Sequence, residues 1–304
     1  MALIQVNFLS KSLMRTVPIQ VILPVDKLTF PGMPQRMETP PRDASAAGRA
    51  CIERNASHLA GAEEKPFKTL YLLHGIFGNY TDWVSGTNIQ RWAEEKNLAV
   101  VMPSGENAFY VDRPAENNFY GEFIGQELVE ITRKMFPLSR KREDTFIAGL
   151  SMGGYGALRN GLKYHETFGC IAGLSSAMIA DGIEKRTDDT PVFIESRSFA
   201  ESIFGNLDEL AESDKNPAFL AKKLAKEGAG IPAIYLTCGT SDSLLEPNRK
   251  FVKLLESLDI PVTYVEGEGA HEWDFWNRSI KKVLDWLPLE EDAMGINSGN
   301  VGSV

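Results

Sequence analysis

The chain opens on alternation. In "ALIQVNFL", Ala2 to Leu9, Ile4, Val6 and Phe8 are separated by Gln5 and Asn7, and in "VPIQVIL", Val17 to Leu23, apolar residues again fall at every second place. A period of two predicts a pair of strands with one face buried, and the short polar link predicts that they pair antiparallel. From Phe67 the pattern changes to short continuous apolar runs closed by glycine or serine: "KTLYLLHG", "LAVVMPSG", "DTFIAGLS", "FGCIAGLSS", "IPAIYLTCGTSD" and "PVTYVEGEG". Such runs predict strands buried on both faces. Helical spacing lies between them. Phe123, Leu128, Ile131 and Met135 fall on one face of a helix over Glu122 to Met135, and Trp276, Ile280, Val283 and Leu287 on another. Strands alternating with helices predict an α/β chain: a mostly parallel central sheet, helices on both faces, and an N-terminal antiparallel edge.

The rhythm defines one domain over residues 1–289. It breaks over about 26–66, where four prolines precede Arg42 and an alanine-rich middle follows; this is expected to be an inserted loop or flap. Residues 178–230 depart from simple alternation and are expected to form a cap-like elaboration. The polar, glycine-rich residues 290–304 are expected to be a flexible tail.

Composition narrows the function classes. Lys and Arg number 32 against 41 Asp and Glu, a net charge of −9, and no basic stripe interrupts the acidic surface. Phosphate backbones and anionic membranes are therefore not expected partners. The start lacks the basic, apolar and small-residue regions of a signal peptide, and no run is long enough to span a bilayer, so the cytoplasm is the expected location. Cys51, Cys170 and Cys238 are too scattered for a disulfide framework or a metal site.

The candidate chemistry centres on "FIAGLSMGGYGAL". Ser151 stands in Gly149-Leu150-Ser151-Met152-Gly153, between the strand "TFIA" and the helix "GGYGALRNGLKY". A strand, a Gly-x-Ser-x-Gly turn and a helix form the nucleophile elbow of α/β-hydrolases, whose glycines leave room for a sharp turn. A serine hydroxyl needs a base. Of the four histidines, His58 lies in the irregular insertion, His165 at the far end of the helix after Ser151, and His74 where an oxyanion loop would be shaped. His271, after the strand "PVTYVEGEG" and before the last helix, is left as the base. Asp242, just past "IYLTCGT", is the candidate acid, with Glu246 the nearest alternative and Asp208 and Asp214 more remote. The order Ser, acid, His follows. Two amides should hold the oxyanion: Met152, after the nucleophile, and Ile76 in "LLHGIFGNYTDW", with Gly75 or Phe77 as alternatives for the second. Phe77, Tyr110 and Trp273 are candidate pocket residues.

These passages, with "FLSKSLMRTVPIQVILP", "CGTSDSLLEPNRKF" and "GAHEWDFW", together resemble the esterase-D-type "putative esterase" family of α/β-hydrolases, and within it the tributyrin-esterase-like branch. The resemblance spans most of the chain outside residues 26–66 and the tail. It implies the α/β-hydrolase fold and a serine carboxylesterase acting on short acyl chains without metal or cofactor. It also implies Ser151, Asp242 and His271 as the triad and Ile76 and Met152 as the oxyanion hole. The partner it implies is a small-molecule ester; further copies of the chain are left open. Relatives in this group include acetylxylan and feruloyl esterases, S-formylglutathione hydrolases and mycolyltransferases, so carbohydrate esters, thioesters and acyl transfer are the alternatives. Where S-formylglutathione hydrolases carry Ser-Gly-Leu-Thr-Cys-Thr, this chain has His74-Gly75-Ile76-Phe77-Gly78-Asn79, which weighs against the thioester.

Overall fold

A computed structural model describes residues 1–25 and 65–289. The expected insertion, all but its last two residues, and the expected tail lie outside them. The strands are β1 (Ala2–Ser10), β2 (Arg15–Leu23), β3 (Lys68–Leu73), β4 (Leu98–Pro103), β5 (Asp112–Arg113), β6 (Asn118–Phe119), β7 (Thr145–Leu150), β8 (Cys170–Leu174), β9 (Ala233–Gly239) and β10 (Val262–Gly267). Eight of them form one sheet in the order β1-β2-β4-β3-β7-β8-β9-β10, and β5 and β6 form a separate two-stranded ribbon. β1 runs antiparallel to β2, and β2 to β4; every other pair in the large sheet is parallel. Helices α1 (Asp82–Gly86), α2 (Ile89–Glu95), α3 (Leu128–Met135), α4 (Met152–Lys163), α5 (Arg197–Phe204), α6 (Leu207–Leu210), α7 (Pro217–Glu227), α8 (Leu245–Ser257) and α9 (Trp273–Trp286) complete it. No helix among the described residues is long and apolar enough to cross a membrane.

Period two sorts the strand residues between two cores. Tyr71, Leu73, Ile147 and Ile171 face one side, under Leu128 of α3, Leu158 and Leu162 of α4 and Leu255 of α8. Their neighbours Leu70, Leu72, Phe146, Ala148 and Ala172 face the other, under Trp92 of α2 and Ile280 and Val283 of α9. This is the helix–sheet–helix layering expected for buried parallel strands.

Two expectations need correction. β10 is half-exposed along its length, because among the described residues it is the sheet's outer edge and has only β9 beside it. Met135 is 41% exposed although Phe123 and Leu128 are buried. The helix begins two residues early at Tyr120 and passes through a π turn over Phe123–Glu127 before α3. That wider turn shifts the phase of everything after it, so a uniform 3.6-residue projection from Phe123 misplaces Met135.

Residues 178–230 consist of single 3-10 turns followed by α5, α6 and α7. Side chains of Ser196, Asn206 and Asn216 cap those helices by accepting from the amides of Phe199, Asp208 and Ala218. The segment is fastened to α4. The fully buried Arg159 guanidinium donates to the Asp214 carbonyl (3.0 Å) and carboxylate (3.1 Å), and the Tyr155 hydroxyl to the Lys215 carbonyl (2.7 Å).

In sheet order β3 has β4 on one side and β7 on the other, so the chain reverses its direction of winding between β3 and β7. A crevice opens at such a switch point, outside the carboxyl ends of the strands. The loop after β3 begins at His74, and β7 ends immediately before Ser151.

Candidate active site

The turn at Ser151 is strained and closely packed. Its φ of 54° and ψ of −118° belong to a sparsely populated region, a conformation costing of order 1–3 kcal/mol that persists only where surroundings enforce it. A Cβ at Gly149 would lie 2.3 Å from the Gly153 carbonyl oxygen, so only glycine permits the turn. The Ser151 amide donates to the Leu174 carbonyl (2.9 Å), and its own carbonyl accepts from Tyr155 (3.0 Å) and Ala177 (3.0 Å). The hydroxyl is thus held on a fixed backbone.

The base and acid meet through strand register. β9 and β10 are parallel neighbours with Gly239 opposite Gly267. Beyond the strands the pairing continues, with the amides of Thr240 and Ser241 donating to the carbonyls of Gly267 (2.8 Å) and Gly269 (2.9 Å). This brings Asp242 beside His271 across 29 residues, with Nδ1 of His271 2.9 Å from Oδ2 of Asp242. Nε2 of His271 stands 3.0 Å from Oγ of Ser151. The carboxylate fixes the tautomer: Nδ1–H donates to Asp242, which leaves the Nε2 lone pair for the serine proton. Glu246, the other candidate acid, pairs with Arg249 instead.

Asp242 is buried. Burial is the largest single influence and opposes ionisation. Hydrogen bonds from His271 and the Leu244 amide, with the His271 charge, outweigh it and hold the carboxyl below its ordinary range.

The loop after β3 lies against the serine, since a Cβ on Gly75 would be 3.5 Å from that of Ser151. Buried His74 shapes it. Its Nδ1 lies 2.6 Å from the Gly75 carbonyl oxygen and its Nε2 accepts from the Gly105 amide at 2.8 Å, an arrangement that requires neutral imidazole. Burial is the main cause that pushes its pKa down. The Phe77 amide is engaged with Oδ1 of Asn107 (2.8 Å). Among the described residues no acceptor is bonded to the amides of Ile76 and Met152. For Met152 the reason is its place as the first residue of α4, where no carbonyl lies one turn back.

The three candidate pocket residues fall in different places. Phe77 is 72% exposed with φ of 66°, a bare ring on strained backbone next to Ile76. Trp273 packs edge-on against Trp83 and Trp276, with Gly86 under its ring. Tyr110 is completely buried, and its hydroxyl donates to the His74 carbonyl (3.0 Å). It therefore supports the loop from behind instead of lining an open pocket. Asp112, which follows it, pairs with Arg159 and Lys163.

Two side chains touching this array carry no signature in the sequence. Ser175 follows β8 directly, and Trp276 lies in α9, where its apolar spacing explains it as helix packing. It does pack there, and its ring also meets that of His271 edge-on at 4.8 Å. The available hint was the placement of Ser175 at the carboxyl end of a central parallel strand, where α/β sites collect.

A strained serine hydrogen-bonded to a carboxylate-paired histidine, on this sheet, defines a serine hydrolase of the α/β-hydrolase class. Comparison with known proteins makes the assignment specific. The "Putative esterase" family matches residues 56–287, and the chain belongs to that family of carboxylic ester hydrolases. It is 42% identical to an acetyl esterase of Caldicellulosiruptor saccharolyticus over 292 residues, 96% of this chain and all of the relative. Among solved structures it is similar to FphF, a fluorophosphonate-binding serine hydrolase of Staphylococcus aureus (30% identity, TM-score 0.76, covering 94% of this chain and 98% of that one). It is also similar to the S-formylglutathione hydrolase FrmB of the same organism, at 29% identity and TM-score 0.72 over 94% and 98% of the two chains.

Proposed function

We propose that this esterase hydrolyses acetate and other short-acyl esters through an acyl-enzyme on Ser151. The observation that carries the reading is the continuous array Ser151–His271–Asp242, with contacts of 3.0 and 2.9 Å. The similarity to an acetyl esterase along nearly the whole chain supports the acyl preference.

Oγ of Ser151 attacks the ester carbonyl as Nε2 of His271 takes its proton. Asp242 remains ionised, holds the imidazole in its tautomer and stabilises the imidazolium. The carbonyl oxygen becomes an oxyanion, received by the amides of Met152 and Ile76. Phe77 is a poorer donor for this purpose because its amide is already bonded to Asn107. These dipoles are in place before the reaction, and the loss of one such donor costs about 2.7–4 kcal/mol of barrier. His271 then protonates the leaving alcohol. Water then attacks the acyl carbon as His271 takes one of its protons, and His271 returns that proton to Oγ of Ser151 as the acyl–Oγ bond breaks and the acid leaves. No step requires a metal or cofactor.

The test is hydrolysis of p-nitrophenyl esters from acetate to octanoate by the wild type and by Ser151→Ala. Rates that fall steeply beyond about four acyl carbons and vanish in the variant are expected. Wild-type rates in Ser151→Ala would refute the assignment of the nucleophile.

A further inference from the structure

Four consecutive residues of the loop after β3 close a turn. The Gly78 amide donates to the Gly75 carbonyl at 3.3 Å, with Ile76 and Phe77 between them. Phe77 has φ of 66°, whereas Ile76 keeps a negative φ. That combination belongs to a type II turn, whose third residue needs a positive φ and is most often glycine or asparagine. Phenylalanine at that place favours the type I turn instead, which differs by rotation of the central peptide, here Ile76 to Phe77. The turn is therefore held from outside.

The hold comes from the loop after β4. The Phe77 amide is the N–H of that central peptide, and it donates to Oδ1 of Asn107 at 2.8 Å. A backbone N–H can only donate, so the oxygen of the asparagine side chain is the atom that faces it. Rotation to the type I form would turn this N–H away and break the bond. Asn107 is itself firmly placed. On one side of it the Gly105 amide donates to Nε2 of His74 (2.8 Å). On the other, buried Phe109 packs edge-on against Tyr155 and Phe204, and the Tyr110 hydroxyl donates to the His74 carbonyl (3.0 Å). The preceding peptide is fixed as well, because the Gly75 carbonyl shares a plane with the Ile76 amide and its oxygen lies 2.6 Å from Nδ1 of His74. Both peptide planes that meet at Ile76 are thus anchored, the first by His74 and the second by Asn107.

We propose that Asn107 is a positioning residue for the oxyanion loop, holding the turn from Gly75 to Gly78 in its type II form. In that form the Ile76 amide is fixed for the developing oxyanion and the Phe77 ring stands at the surface. Asn107 acts through the Phe77 peptide and does not touch the reacting atoms. The inference rests on reading Ser151 as the nucleophile and Ile76 and Met152 as the oxyanion donors. The oxyanion forms only in the transition state, so loss of the hold falls on kcat and not on KM.

The test measures kcat and KM on p-nitrophenyl acetate for Asn107→Ala and Asn107→Leu, with Ser151→Ala alongside and circular dichroism to verify folding. Leucine is close to asparagine in shape but cannot accept a hydrogen bond. Each Asn107 variant is expected to lower kcat about tenfold with KM nearly unchanged, the effect of one lost hydrogen bond on the barrier. Asn107→Ala is then repeated in two backgrounds. In Phe77→Gly the type II turn forms without help, and the loss should shrink to less than about twofold. In Phe77→Ala the ring is gone but the unfavourable φ remains, and the loss should again be about tenfold. Wild-type kcat in both Asn107 variants, or an undiminished loss in the glycine background, would overturn the proposal and leave the nucleophile assignment intact. A loss that alanine also abolishes would trace the effect to the ring and overturn it equally. Wild-type rates in Ser151→Ala would overturn it together with the reading beneath it.

Discussion

Gly153 and Leu73 are in backbone contact: a Cβ on Gly153 would lie 2.3 Å from the Leu73 carbonyl oxygen and 2.5 Å from that of His74. The first turn of α4 is packed on the end of β3 at this point. The amide of Met152 is carried by one side of the contact, and that of Ile76 by the loop leaving the other.

Gly153→Ala should therefore separate the two amides. Overpacking of this kind costs about 1–3 kcal/mol of stability, and a misplacement near 1 Å in a catalytic site costs about 100-fold in rate. We expect a folded protein with kcat/KM on p-nitrophenyl acetate reduced about 100-fold, a loss larger than its fall in melting temperature would suggest. Activity within tenfold of wild type would show that this packing does not set the oxyanion geometry.

The triad should be ranked by role. Ser151→Ala and His271→Ala are each expected to remove nearly all covalent turnover, and the double variant to be little worse than either, because the two act as a unit. Asp242→Asn keeps a side chain beside Nδ1 but disfavours the working tautomer, and a fall of about 10⁴-fold is expected. Burst titration with an organophosphonate, alongside steady-state rates, measures the ranking. Equal, additive losses at Ser151 and His271 would contradict the array.

His74 supplies a pH signature in stability. Unfolded histidine titrates near about 6.5, and in the fold burial lowers the pKa of His74. The folded state thus binds fewer protons, so the contribution is full above the unfolded value and is lost as the pH falls towards the folded one. His74→Phe, which breaks the bonds to Gly75 and Gly105, should be about 2 kcal/mol less stable at pH 7.5. Its urea midpoint should also change less between pH 7.5 and 5.5 than that of the wild type. The other histidines are common to both proteins, so the difference in slope belongs to His74; identical slopes would mean that it is not held neutral.

Phe77 should show stability and activity moving in opposite directions. Its φ of 66° and 72% exposure are both unfavourable for a large apolar residue. Phe77→Gly relieves the backbone and is expected to stabilise the protein by about 1 kcal/mol. If the ring meets the alcohol or acyl part of the ester, KM for apolar esters should rise several-fold with kcat nearly unchanged, a loss of uniform binding. An unchanged KM across the ester series would remove Phe77 from the substrate's surroundings.

Much of the architecture is legible in local pattern. Continuous apolar runs such as "LYLL" and "TFIAG" are buried on both faces of central strands, and the alternation in "LIQVNFL" belongs to the antiparallel edge. The turn at Ser151 is legible because its glycines answer to a steric demand that few other turns make. Local pattern is less informative where geometry departs from a regular period. The π turn over Phe123–Glu127 displaces Met135 from the buried face. Likewise the apolar run of β10 does not reveal that nothing pairs with its outer side among the described residues.

What the sequence determined by itself is therefore the set of elements, their order, and the candidates Ser151, His271 and Asp242 at strand ends, since burial and turn sterics act on neighbours along the chain. Which groups meet was decided only by the tertiary structure. Ser151 lies 120 residues from His271, and the two are joined by the lateral order of β7, β8, β9 and β10 and their parallel register. The same packing engages the Phe77 amide with Asn107, buries Tyr110 behind the loop, and sets the Trp276 ring against His271. None of these contacts is encoded in a period, because each depends on how separate elements stack across the sheet.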